Sequence, residues 1–160
     1  MKRKASITVI TAIGLIAVTL IVVISASGAN PGSSANQIAG SWQLTVDRGP
    51  ALPPVKGLTT YTSDGTLIGT GNTVLRGPAH GAWEHVSGRV YADTHYFFRF
   101  DSTGTLLGSQ KIRETVELSQ DGDSYTAVAI SDLFDPSGNL TVSGLRATIT
   151  ATRIKVEPLP

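Results

Sequence analysis

Few residues in this chain are equipped for acid–base or metal chemistry. It has three histidines and no cysteine, which rules out thiolate catalysis and a disulfide framework. His80, Glu84, Asp93 and His95 lie close together in the sequence. If Ser87-Gly88 forms a two-residue turn, His80 pairs across it with His95, Ala82 with Asp93, and Glu84 with Tyr91. The four donors then share one strand face, and such a nitrogen and oxygen set suits zinc. The opposite face would carry Trp83, Val90, Ala92, Tyr96 and Phe98. That apolar face is expected inward and the histidine–carboxylate face in solvent, so no metal site and no cofactor are assigned.

Glu114 follows a different pattern, sharing a strand face with Ile112, Val116 and Leu118. A carboxylate on an apolar face must be paired or hydrogen-bonded. It is expected either to orient a ligand, to act as a base of raised pKa, or to serve as a buried structural partner. Asp132 shares a face with Val128, Ile130 and Phe134 and is read the same way. Nucleophile signatures are absent: the chain contains neither G-x-S-x-G nor H-E-x-x-H. The glycine-rich stretch Gly65-Thr-Leu-Ile-Gly-Thr-Gly-Asn-Thr73 is not read as a phosphate loop, because no helix pattern and no G-K-[ST] follow it.

The elements that must position these groups are strands. Residues 1–29 read as an export segment, with Lys2, Arg3 and Lys4 before an apolar run from Ile7 to Ile24 and small residues through Ala29. This is the plan of a signal peptide, and the run is also near the length of an uncleaved membrane anchor. Either reading places the remainder outside the cytoplasm, with the membrane touched only through this segment. Residues 30–37 form a flexible lead-in, and residues 38–157 are long enough for one domain with a core. Basic residues are scattered there, so no nucleic-acid surface is expected.

Within that domain, alternating apolar and polar residues mark eight strands: 41–47, 56–62, 66–71, 80–86, 89–100, 105–118, 124–134 and 140–156. The phrases Ser63-Asp-Gly65, Ser102-Thr-Gly104, Gln120-Asp-Gly122 and Pro136-Ser-Gly138 punctuate them with the left-handed positions that hairpins need. Eight sequential hairpin strands form a twisted meander, which closes to remove its edges. The expected fold is all-β, an eight-stranded antiparallel up-and-down barrel. Its interior is expected to hold Leu44, Trp83, Tyr96, Phe98, Phe100, Ile112, Val116, Val128, Ile130 and Ile149. His85 is expected inward near one end as a core histidine. The long loops 48–55 and 72–79 fall on the opposite rim, taken as the mouth.

Closure sets the first strand beside the last. Gly40-Ser41-Trp42 then meets Arg153, whose face continues that of Leu145, Ala147, Ile149 and Ala151. A guanidinium over an indole is a favourable cation–π pair. In this respect the sequence resembles the lipocalins, whose first strand opens on Gly-x-Trp and whose last strand lays an Arg or Lys across the Trp. The missing disulfide, and the absence of a helix pattern after the last strand, make it similar to bacterial lipocalin-like (calycin) barrels in particular. The resemblance implies a small hydrophobic ligand inside the barrel, with Trp83, Tyr96, Phe98, Glu114 and Asp132 as contacts, in a monomer or weak oligomer. Two alternatives stand beside it. One is an isomerase or cyclase using Glu114 and Tyr96 as an acid–base pair. The other is a filled barrel with a structural or inhibitory role in the cell envelope.

Overall fold

The computed structural model describes residues 37–159. The expectations for residues 1–29, and for nearly all of the lead-in, lie outside the described residues. The rest is a closed antiparallel barrel of eight strands in sequential order. They are β1 (Gly40–Asp47), β2 (Val55–Tyr61), β3 (Thr66–Gly71), β4 (Ala79–Ser87), β5 (Val90–Phe100), β6 (Leu106–Leu118), β7 (Ser124–Phe134) and β8 (Leu140–Arg153). β1 closes on β8 from Trp42↔Arg153 to Asp47↔Thr148. Eight strands, each paired on both sides, leave no open edge. No helix among the described residues is long and apolar enough to cross a membrane.

The short turns form as their residue types dictate. Gly65, Gly104, Gly122 and Gly138 all take positive φ, the conformation that costs glycine least. In each turn an aspartate caps the backbone beside the glycine. Asp101 Oδ1 accepts hydrogen bonds from the amides of Thr103 and Thr105, and Asp135 Oδ1 accepts from Ser137 and Asn139. Asp64 and Asp121 cap Thr66 and Asp123 in the same way. The stretch from Gly65 to Thr73 is a turn followed by β3, as its lack of a helix pattern implied.

One end of the barrel is packed solid. Ile38, Trp42, Tyr61, Trp83, Tyr91, Val116, Leu118 and Tyr125 form its core. Burying each large side chain contributes about 1.5–3 kcal/mol. The rings meet edge to face, Trp42 with Tyr125 at 4.9 Å and Trp83 with Tyr91 at 5.9 Å between centroids, an arrangement that adds about 0.5–1.5 kcal/mol per pair. Arg153 seals this end. Its Cζ lies 4.1 Å from the Trp42 ring centroid, and its three nitrogens donate to the carbonyls of Gly122, Ala39 and Gln37. The Trp42 indole donates to the Ile38 carbonyl at 2.9 Å. Gly40 has no room for a side chain, because a Cβ there would sit 2.6 Å from Arg153 Nη1. His85 is at the same end, 5.2 Å from Tyr91 ring to ring.

Two strands face the opposite way to the sequence expectation. The β4–β5 turn falls at residues 88–89 rather than at Ser87-Gly88, and the register shifts between His85 and Ser87. His80 therefore pairs with Tyr96, Gly81 with His95 and Trp83 with Asp93. A one-residue slip turns every side chain of a strand to its other face, so Tyr91, Asp93, His95 and Phe97 point inward. Tyr96 and Phe98, expected inside, are 46% and 60% exposed. In β7 the interior side is Tyr125, Ala127, Ala129 and Ser131, and Val128 is half exposed. The register of β7 with β6 and β8 fixes which of its faces turns inward.

Candidate functional site

The other half of the barrel is hollow. A cavity of about 540 Å³ opens at the rim that carries the loops 48–54 and 72–78, and Arg48, Leu52, Thr73, Leu75 and Arg76 from those loops line it. This is the rim expected to be the mouth. The walls are mainly apolar, with Leu44, Val46, Leu67, Phe97, Ile112 and Ile149 among them. Small residues make the room: Gly69 on β3, Ala129 on β7 and Ala147 on β8 all face the space.

Two arginines stand at the mouth side by side. Arg76 and Arg99 form an isolated antiparallel bridge between the 72–78 loop and the end of β5. Both line the cavity. The Nε of each is buried without a hydrogen-bond partner among the described residues. Arg76 stacks on Phe97, with Cζ 3.8 Å from the ring centroid. Desolvation lowers the pKa of Arg76, and the charge of Glu114 opposes that shift.

Between the cavity and the packed end lies a polar floor. His95 Nδ1 donates to Asp93 Oδ1 at 3.0 Å, and the Tyr61 hydroxyl donates to Asp93 Oδ2 at 3.1 Å. Asp93 and His95 are both buried. Glu114 reaches the same place from β6, where it is flanked by Asp93 on β5 and Ala129 on β7. It lies deep in the barrel and touches the cavity. Burial first, and the charge of Asp93 second, hold its pKa well above the usual carboxylate range, against an opposing pull from Arg76. Burial likewise pushes Tyr61 and Tyr125 upward. His95 has space because Gly81 faces it, where a Cβ would come within 2.5 Å of His95 Cβ.

The residues singled out from sequence are thus divided. Glu114 sits in the cavity floor as its pattern implied. Trp83 is inward but belongs to the packed end, donating its indole N–H to the Thr62 carbonyl. Tyr96 and Phe98 lie on the outer face and do not line the cavity, so Tyr96 is not placed to pair with Glu114. Asp132 also points outward and accepts from Arg113 at 2.7 Å. The expected face of His80, Glu84, Asp93 and His95 does not form: His80 and Glu84 stay outside, whereas Asp93 and His95 join Glu114 within. Sequence reasoning missed Phe97, Arg76, Arg99 and Tyr61. For Phe97 the signal lay in the run Val86-Ser-Gly-Arg89, where the register shifts; no sequence signal pointed to Tyr61, Arg76 or Arg99. No protein-family model matches this chain, and no curated protein matches it.

Proposed function

We propose that this protein is an exported, lipocalin-like barrel that holds a small, largely apolar molecule bearing an acidic or acceptor group. One observation carries this reading: an apolar cavity open at one rim, with two buried arginine Nε groups unpartnered at its mouth. An empty apolar space of this size gains free energy when filled by a matching molecule. An unpaired guanidinium N–H loses free energy in a buried setting and regains it from an anionic acceptor. The rim is itself apolar, with Leu52, Val74, Leu75, Leu106 and Leu107 exposed, which suits the passage of such a molecule. Phe97, Ile112 and the aliphatic wall take the apolar body, and Arg76 and Arg99 take the polar end.

Displacement of an apolar fluorescent dye from the purified protein tests this. A medium-chain fatty acid is expected to displace the dye at lower concentration than the alcohol of equal length. Arg76→Gln or Arg99→Gln should remove most of that preference, about tenfold, which corresponds to about 1.4 kcal/mol. A protein that takes up no dye, or that treats acid and alcohol alike, would defeat the proposal.

A further inference from the structure

The cavity floor brings together side chains that no apolar ligand requires. One donor atom from each of Asp93, His95 and Glu114 lies within 4.8 Å of the other two. They come from two adjacent strands, with Asp93 directly opposite Glu114 in register and His95 two residues beyond Asp93 on the same face. Two carboxylates at this depth repel each other, and desolvation penalises the charged form of each. Among the described residues no Lys or Arg forms an ion pair with either carboxylate, and of the basic groups only the His95 imidazole contacts Asp93. Among the described residues Glu114 makes no hydrogen bond or ion pair, and Arg76 acts on it without forming a salt bridge. Tyr125, only 2% exposed, lies beside Tyr61 and near enough to Glu114 and Asp93 to feel their charge.

We propose that Asp93, His95 and Glu114 bind one first-row divalent cation of the zinc class at the floor of the cavity. The donor set is one imidazole and two carboxylates, which such ions accept. In a tetrahedral site two ligands each about 2.1 Å from a common ion are about 3.4 Å apart. His95 Nδ1 and Asp93 Oδ1 are 3.0 Å apart and all three donors lie within 4.8 Å of one another, so small side-chain rotations reach that spacing. Ligation through Nδ1 replaces the hydrogen bond between His95 and Asp93 and leaves the imidazole proton on Nε2. The Tyr61 hydroxyl on Asp93 Oδ2 holds the carboxylate in orientation, as outer hydrogen bonds do at metal sites. The absence of a side chain at Gly81 keeps the imidazole in place. Because His95 and Glu114 both touch the cavity, an ion there would face it. The three donors are in place whether or not an apolar molecule occupies the cavity.

The test uses the full chain stripped of metal with chelator and titrated with ZnCl₂ by calorimetry. One equivalent is expected to bind, and Co²⁺ should give a visible absorption band that Zn²⁺ abolishes. Glu114→Gln and His95→Gln, checked for folding by circular dichroism, should each weaken binding at least tenfold, whereas His80→Gln on the outer surface should not. Nitrogen-detected NMR of the wild-type histidine rings needs no variant: Zn²⁺ should shift the signals of His95 and leave those of His80 and His85. No binding by the wild type, unchanged affinity in both floor variants, or a shift confined to His80 or His85 would overturn the proposal.

Discussion

Arg153 does more for this barrel than its partial exposure suggests. It covers the Trp42 ring and donates to three carbonyls in two segments, Gln37 and Ala39 before β1 and Gly122 in the β6–β7 turn. Hydrogen bonds from a charged group stabilise more than neutral ones, and the cation–π contact adds to them. Arg153→Ala is expected to destabilise the fold by about 2–3 kcal/mol, read as a lower midpoint in urea. Arg153→Lys should recover only part of this, since one ammonium cannot reproduce the planar fork. Gly81 is the second position of this kind. An added methyl would meet the Thr94 carbonyl at 2.2 Å and His95 Cβ at 2.5 Å, both in a paired strand that cannot yield easily. Gly81→Ala should cost about 1–3 kcal/mol by overpacking and displace the His95 ring signals in NMR.

The turns carry the pH dependence at the level of the elements. Asp64, Asp101, Asp121 and Asp135 accept hydrogen bonds from the side chains of Thr62, Thr103, Ser119 and Asn139 and then from hairpin amides, and these bonds hold all four carboxyls below the usual aspartate range. A carboxyl whose folded pKa is depressed contributes stability above its unfolded pKa. That contribution is lost as pH falls through the folded value. Asp101→Ala and Asp135→Ala should therefore lower the melting temperature at pH 7. The gap to wild type should narrow below about pH 4, the unfolded aspartate value, and close as the folded carboxyls protonate. A gap of constant size down to pH 2 would show that the charge of these carboxyls contributes nothing, and no gap at pH 7 would show that the turns are held by their glycines alone. The β4–β5 hairpin has no such aspartate. Its register is set by the irregularity between His85 and Ser87, and that one irregularity decides which side chains of β5 enter the barrel.

At the scale of the whole molecule, the barrel is divided into a packed half and a hollow half. The packed half holds the large aromatic residues, and the hollow half is bounded by Gly69, Ala129 and Ala147. A void of this size forfeits the dispersion contacts its lining would otherwise make. Filling it is expected to stabilise the fold and remove its capacity together. Ala147→Leu should raise stability by about 0.5–2 kcal/mol and weaken dye uptake several-fold, measured on the same preparation by thermal melting and fluorescence. A variant that gains stability and still takes up dye unchanged would place the dye outside the barrel.

The sequence by itself determined the strand count, the hairpin turns at Gly65, Gly104, Gly122 and Gly138, and the closure. Those depend on local chemistry: two-residue periodicity, glycine at positive φ, and a Trp and an Arg at the two ends of one meander. It also determined that Glu114 lies within, because β6 is regular and its apolar face is unambiguous. Only the tertiary structure decided the faces of β5 and β7. In β5 both faces carry aromatic residues, Tyr91 and Phe97 against Tyr96 and Phe98, so hydrophobicity alone does not choose between them, and a slip of one residue does. In β7 both faces carry apolar residues, Ala127 and Ala129 against Val128 and Ile130, so hydropathy favours the wrong face, and the register with β6 and β8 turns Val128 outward. The Asp93–His95–Glu114 cluster follows from that slip: residues far apart in sequence meet only once register has been set by neighbouring strands, and register is a property of the closed sheet rather than of any one segment.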